Sequence, residues 1–250
     1  MAWFKAEHRV LLAAVALAAE AGFDSDAWQL PATLKTSFYR QGYWDSLLAV
    51  QQTALAAALR LRDRNAQAIA HQNLAMVQNL FGHDQQAHSH FMDALDLWRQ
   101  IGDRAGAGRT LNALVTLFAK QARYGEALDH CLQALGLFRA VGDRVWQANL
   151  LNNVGHLHSL LGNYQQALAF CQQAMTLQQE LGDWQDQHFT WDSMGFAHQH
   201  LGHHAEALDC YERALAISRE ASNRPGQAVI LTHLGDAYHS AGKPLRAREA

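Results

Sequence analysis

The fifteen histidines are the first residues whose chemistry needs explaining. Neutral imidazole ligates zinc-class metals and moves protons near neutral pH. They gather at His83, His88 and His90, and again at His198, His200, His203 and His204. A zinc site needs three or four ligands converging at about 2.0–2.3 Å. His198 and His200 are two positions apart, so on a helix they point to different faces. Gly202 interrupts a helix before His203 and His204. Neither HExxH nor a cysteine-bearing ligand pattern occurs. The spacing therefore predicts scattered histidines, with no metal and no other cofactor. Cys131, Cys171 and Cys210 form no CxxC pair. They are expected to be buried packing residues before they are nucleophiles. The run DRAGAGRT at Asp103–Thr110 resembles a phosphate-binding loop, with Asp for its first glycine and Arg for its lysine. A true phosphate loop follows a strand, whereas this run falls at a turn between helices. GxSxG is absent, and nothing pairs a nucleophile with a base. No catalytic residue is assigned, and the chain is expected not to be an enzyme.

Composition narrows the class further. The chain is 49% hydrophobic and 17% charged, which leaves ample material for a core. Only three prolines occur in 250 residues, as suits a mostly helical chain. A formal net charge of −3 provides no basic surplus for phosphates, so direct nucleic-acid contact is not expected. No apolar run approaches the roughly 18 residues of a membrane span. Three cysteines without pairing motifs suit a cytoplasmic compartment. Lys5 and Arg9 before the apolar stretch Val10–Ala19 mimic a secretion signal, but Glu7 and His8 interrupt its basic region and Glu20 sits where the cleavage site would be.

The elements that would position any site come from a repeat of 40 residues. Gly-Asp pairs recur at Gly102-Asp103, Gly142-Asp143 and Gly182-Asp183, with Arg62-Asp63 and Ser222-Asn223 in the same phase. A second glycine recurs at Gly42, Gly82, Gly162, Gly202 and Gly242, with Ala122 in the missing slot. Alanine recurs at Ala87, Ala127, Ala167, Ala207 and Ala247, and in the unbroken column Ala14, Ala54, Ala94, Ala134, Ala174 and Ala214. Each unit reads as two helices, because apolar residues fall at helical spacing on either side of the glycine. The Gly-Asp pair acts as a stop and a start. Glycine closes one helix in the left-handed conformation, and the aspartate accepts from the first amides of the next. Gly155, Gly195, Gly235 and Ala75 lie mid-way along first helices, where glycine costs about 1 kcal/mol relative to alanine. Their recurrence predicts close approach of the second helix, so Ala167→Leu is expected to overpack that contact.

The columns Leu151, Val154, Gly155, His158, Ala167, Cys171 and Ala174 resemble the tetratricopeptide repeat. So do Met194, Gly195, His198, Ala207, Tyr211 and Ala214. The common spacing of that repeat is 34, and the longer period here resembles its 40-residue variant. The resemblance implies an all-α fold, a right-handed α-solenoid of helix-turn-helix repeats spanning 1–250 as one domain. An orphan second helix is expected at 4–22. Repeats follow at 25–63, 64–103, 104–143, 144–183 and 184–223, with a truncated repeat at 224–250 whose second helix begins near Pro244. It also implies a concave groove lined by the first helices, holding a protein or peptide. Another domain of the same polypeptide is one candidate for that partner. Its positions transfer to Ile69, Arg109, Asn149, Phe189 and Val229, then to Gln72, Asn112, Asn152, Asp192 and Thr232. Two further rows are Met76, Thr116, His156, Phe196 and Asp236, and Leu80, Lys120, Leu160, His200 and Ser240. The second row carries amide, carboxylate or hydroxyl groups able to hold an extended backbone. Phe189 and Phe196 would supply an apolar pocket. The residues assigned to the groove are Gln72, Arg109, Asn112, Lys120, Asn149, Asn152, His156, Phe189, Asp192, Phe196 and His200.

The run EHRVLLAAVALAAEAG at Glu7–Gly22 is followed by Ala27-Trp28-Gln29-Leu30. These segments are similar to the C-terminal repeats of actinobacterial regulators of the AfsR-like, Streptomyces antibiotic regulatory protein type. So are Gly42-Tyr43-Trp44, Asn152-Asn153-Val154-Gly155 and Trp191-Asp192-Ser193-Met194-Gly195. In that family a winged-helix region and an NB-ARC nucleotide switch precede the repeats, which act as a sensor or autoinhibitory interaction domain of a transcriptional regulator. None of the winged-helix or nucleotide-switch motifs is present in these 250 residues. A free-standing adaptor or scaffold is the alternative, and a small-molecule-sensing or metal-binding repeat protein the third.

Overall fold

The computed structural model describes residues 2–242, and the side chains of 7–242. Among the described residues the chain is all-α, with twelve helices and no strand. They are α1 (Ala2–Glu20), α2 (Asp24–Gln41), α3 (Trp44–Leu61), α4 (Arg64–Leu80), α5 (Asp84–Ile101) and α6 (Arg104–Lys120). Then follow α7 (Tyr124–Val141), α8 (Arg144–Leu160), α9 (Tyr164–Leu181), α10 (Gln187–His200), α11 (His204–Glu220) and α12 (Arg224–Ser240). The second helix expected near Pro244 lies outside the described residues. The helices group into two compact units, Met1–Leu117 and Phe118–Ala250, with the division inside α6.

The glycine-aspartate junctions explain the helix ends. Gly102 closes α5 at φ 77°. Its amide donates to the Arg99 carbonyl at 3.2 Å, and the Asp103 amide reaches back to the Trp98 carbonyl at 3.0 Å. These paired bonds satisfy carbonyls that a helix end would otherwise orphan. Asp103 then opens α6 by accepting from the Gly106 amide at 2.8 Å. Asp63 does the same for Asn65 and Ala66, and Asp143 for Trp146. Each such cap is worth about 1 kcal/mol. The phosphate-loop lookalike is thus a helix start, and its Thr110 hydroxyl donates to the Gly106 carbonyl at 3.0 Å. Arg62, Ala122 and Ser222 hold φ of 54°, 57° and 55° in slots where other units have glycine.

At Asp183 the bond forms but the helix starts late. The Asp183 carboxylate accepts from the Asp186 amide at 3.3 Å, in a bend ahead of the helix. The bond spans the same three residues as at Asp103 and Asp143, but residues 184–186 are not helical, so α10 begins only at Gln187 and has 14 residues, against 17 in α8 and α12.

Small residues set the helix pairing. A Cβ built on Gly155 of α8 would lie 2.5 Å from Cys171 Sγ and 3.0 Å from the Ala167 carbonyl oxygen of α9. On Gly195 of α10 it would meet the Tyr211 ring of α11 at 2.8 Å. Ala75, in the same slot of α4, is fully buried. The alanine column Ala54, Ala94, Ala134, Ala174 and Ala214 is buried, whereas Ala14 of α1 is exposed. Helix α1 packs on α2 and α3. There Val15, Phe38, Leu47 and Val50 share one apolar cluster. All three cysteines are buried and unpaired. Burial pushes Cys131 and Cys171 up to about 12 and Cys210 to about 11, so none is a thiolate at neutral pH.

Candidate functional site

In the second unit the first helices α8, α10 and α12 lie side by side, with α10 touching both neighbours. Their shared face collects His156 from α8, Asp192, Phe196 and His200 from α10, and His233 from α12. The polar centre is the Asp192 carboxylate, 2.8 Å from His233 Nδ1. Both side chains are partly shielded from water. That hydrogen bond raises the His233 pKa against the opposing effect of burial, with further support from the charges of Asp192 and Asp236. His156 is displaced the other way. Although it keeps exposed surface, desolvation by its neighbours lowers its pKa, opposed by the charge of Asp192 and reinforced by His233. One imidazole thus favours its cation beside a carboxylate while its neighbour favours the neutral form.

Around this pair runs an aromatic shelf. The Phe196 ring lies 4.2 Å from His200, 6.1 Å from His233 and 6.4 Å from His156. Tyr164, at the start of α9, stacks on His200 at 5.1 Å. Tyr211 of α11 approaches His233 at 5.7 Å, and its hydroxyl donates to Gln199 Oε1 at 3.0 Å. Chemically, the face offers a hydrogen-bonded carboxylate–imidazole pair beside a half-exposed apolar wall.

The groove residues read from the sequence meet different fates. His156, Asp192, Phe196 and His200 converge. Asn149 is half-buried on α8, and Phe189 is exposed on α10 with its ring 3.8 Å from His188. Asn152 is only 8% exposed, its Oδ1 turned toward Cys171 Sγ at 4.0 Å. Thr232 spends its hydroxyl on the Ala228 carbonyl. The polar row is therefore not an even ladder in this unit. Gln72 and Asn112 are half-buried on α4 and α6, while Arg109 and Lys120 are exposed on α6. His233, Tyr164 and Tyr211 are absent from the sequence-read set. His233 lies one position beyond the row at Thr232, and Asp192 leans to it across 41 residues rather than 40.

A second cluster escapes local sequence inspection. His90 of α5 meets a histidine of the preceding helix. Its Nδ1 lies 3.0 Å from Nδ1 of His71 on α4. Asp93 Oδ2 stands 3.5 Å from the His71 nitrogen and 3.9 Å from the His90 nitrogen. The useful signal is the offset of 19, which also brings Cys171 onto Asn152 across the α8–α9 pair. Near the other histidine cluster, Gly202 turns the chain so that His203 Nδ1 comes back to 3.4 Å from His198 Nδ1.

This geometry defines a protein of paired helices that packs through small residues and presents a mixed aromatic and polar face. The chain belongs to the tetratricopeptide repeat family, whose family model matches residues 106–180 and 186–250. A model for anaphase-promoting complex subunit 5 matches 42–122. No curated protein matches the chain. Among solved structures, BtubC (BKLC) from P. vanneervenii shares 20% identity at a TM-score of 0.72, over 86% of this chain and 92% of that one. A putative kinesin light chain with TPR-like repeats from Podosopora anserina shares 14% identity at 0.65, over 78% and 96%. A Rap protein complexed with competence and sporulation factor shares 15% at 0.65, over 96% and 73%. These likenesses establish the solenoid type of fold. No described helix is long and apolar enough to cross a membrane.

Proposed function

We propose that the α8–α10–α12 face binds an extended segment of a partner protein, which places this chain among non-catalytic interaction modules. The Asp192–His233 pair beside the Phe196 shelf carries this reading. Phe196, His200 and Tyr164 would receive an apolar side chain, while Asp192, His233 and Asn149 would bond the partner's backbone. By repeat register, Gln72, Arg109, Asn112 and Lys120 take the corresponding positions on α4 and α6. The likeness to a Rap protein captured with competence and sporulation factor supports a regulatory ligand. The AfsR-like wording of Glu7–Gly22 and Trp191–Gly195 supports a cytoplasmic sensor or autoinhibitory domain of a bacterial transcriptional regulator. The match to a complex subunit over 42–122 favours a second reading, a free-standing scaffold.

Peptides selected on the full chain from a random display library test the binding face. The selected peptides should lose at least tenfold in affinity to Phe196→Ala and Asp192→Asn, and keep their affinity for Gln172→Ala on α9. Equal binding to all three variants would place the ligand elsewhere. Coding sequence in frame upstream for a winged helix and an NB-ARC switch separates the regulator from the scaffold.

A further inference from the structure

The His71–His90–Asp93 cluster departs from the repeat in a way that packing does not explain. At the position of His71 the 40-residue period has Leu111, Leu151, Trp191 and Leu231. Leu111 and Leu151 are buried core residues. His71 therefore sets an imidazole into an otherwise apolar slot, with its side chain 15% exposed. It faces His90 across the α4–α5 pair. At the corresponding α7 and α9 positions, His130 and Phe170 stack instead on Phe118 and His158. The His71–His90 rings are tilted by 49°, with their Nδ1 atoms turned toward each other rather than their faces. Asp93 sits three residues after His90, on the same side of α5, and directs Oδ2 at both nitrogens.

The geometry points to a site for one divalent transition-metal ion of the zinc class, held by His71 Nδ1, His90 Nδ1 and Asp93 Oδ2. The three ligand atoms lie 3.0, 3.5 and 3.9 Å apart. A circle through them has a radius of about 2.0 Å, the length of a zinc–nitrogen or zinc–oxygen bond. An ion near that centre reaches all three without rebuilding either helix. Without a metal, one Nδ1 must carry a proton and donate to the other. With a metal, that proton moves to Nε2, and both Nδ1 lone pairs face the ion. Two imidazoles and one carboxylate suit zinc, cobalt and their neighbours better than calcium or magnesium, which want oxygen. Asp93 is 52% exposed, which leaves the ion open to water as a fourth ligand. The ion would clip α4 to α5, because it binds only where both helices are in place.

The test uses the full chain without a histidine tag, stripped of metal by chelation and dialysis. Titration with cobalt(II) should saturate at one equivalent, with the visible absorption of a low-coordinate site, and zinc should displace it. Zinc should also raise the melting temperature. His71→Gln and His90→Gln should each abolish saturation and the thermal shift. The variant H198Q/H203Q, which removes the other facing imidazole pair, should retain both. Should either histidine substitution unfold the metal-free protein, Asp93→Asn at the exposed position must weaken cobalt at least tenfold. Failure of the wild type to saturate, or saturation that survives His71→Gln, His90→Gln or Asp93→Asn, overturns the site.

Discussion

Glycine-to-alanine substitution should change sign between two neighbouring helices, and the structure supplies both magnitudes. Alanine favours a helix interior over glycine by about 1 kcal/mol. At Gly136 of α7 an added Cβ meets nothing within 4 Å, so Gly136→Ala should stabilise by about that amount. At Gly155 the same Cβ falls 2.5 Å from Cys171 Sγ, 3.0 Å from the Ala167 carbonyl and 3.3 Å from the Cys171 amide. Two of these neighbours are backbone and cannot swing aside, so α8 and α9 must separate. Overpacking of this sort costs about 1–3 kcal/mol. The cost matches or exceeds the gain in propensity, leaving Gly155→Ala destabilised by up to about 2 kcal/mol. Repeat arrays unfold in parts, so amide hydrogen exchange resolved on α8 and α9 is the suitable assay. A loss of 1–2 kcal/mol corresponds to local opening about 5–30 times more frequent. Adding Cys171→Ala removes the nearest atom. Gly155→Ala should then cost less in the Cys171→Ala background than in the wild type. If Gly155→Ala stabilised α8 as Gly136→Ala does α7, close helix approach would not be the reason for glycine at that slot.

Two further outcomes follow from individual residues. Ala122 holds φ 57° where other units use glycine, a conformation that costs an L-residue about 1–2 kcal/mol. Ala122→Gly should raise stability in urea denaturation, by less than that cost because glycine also loosens the unfolded chain. The Asp192–His233 pair makes stability depend on pH. His233 has a raised pKa in the fold, so its contribution is complete below the unfolded value of about 6.5. It is lost as pH rises through the folded value. His156, lowered by burial, works oppositely and loses stability as pH falls below about 6.5. Asp192→Asn should lower the His233 titration midpoint followed by NMR, and flatten the part of the stability profile above pH 6.5. A midpoint unchanged in Asp192→Asn would dissociate the two side chains.

Much of the helical layout was legible because its signals are local. A glycine forced into left-handed geometry ends a helix wherever it stands, as at Gly102. An aspartate after it caps the next helix at Asp103 and Asp143. Asp183 shows the limit, since it accepts from the same i+3 amide and yet the helix does not begin until Gln187. The face of α8, α10 and α12 was legible in part. His156, Phe196 and His200 fall at whole repeats or whole turns, so periodicity finds them. His233 does not, because neighbouring helices cross with an offset and Asp192 reaches 41 positions onward. Asn152 shares a row with Asp192 yet faces α9, because the rows mark sequence register and not the rotation of each helix. The His71–His90 contact was invisible for another reason. Its members are 19 apart, and only knowledge of which residues face each other within a helix pair makes that number meaningful.

The central claim is that the α8–α10–α12 face is where a partner sits. Photo-crosslinking in the native host, with a benzoyl-phenylalanine residue replacing Phe196 in one strain and exposed Gln172 of α9 in another, addresses it directly. The account predicts one discrete adduct from position 196, mapping by mass spectrometry to a single extended segment of one polypeptide, and none from position 172. Adducts from position 172 alone, or the same adduct from both positions, would contradict it.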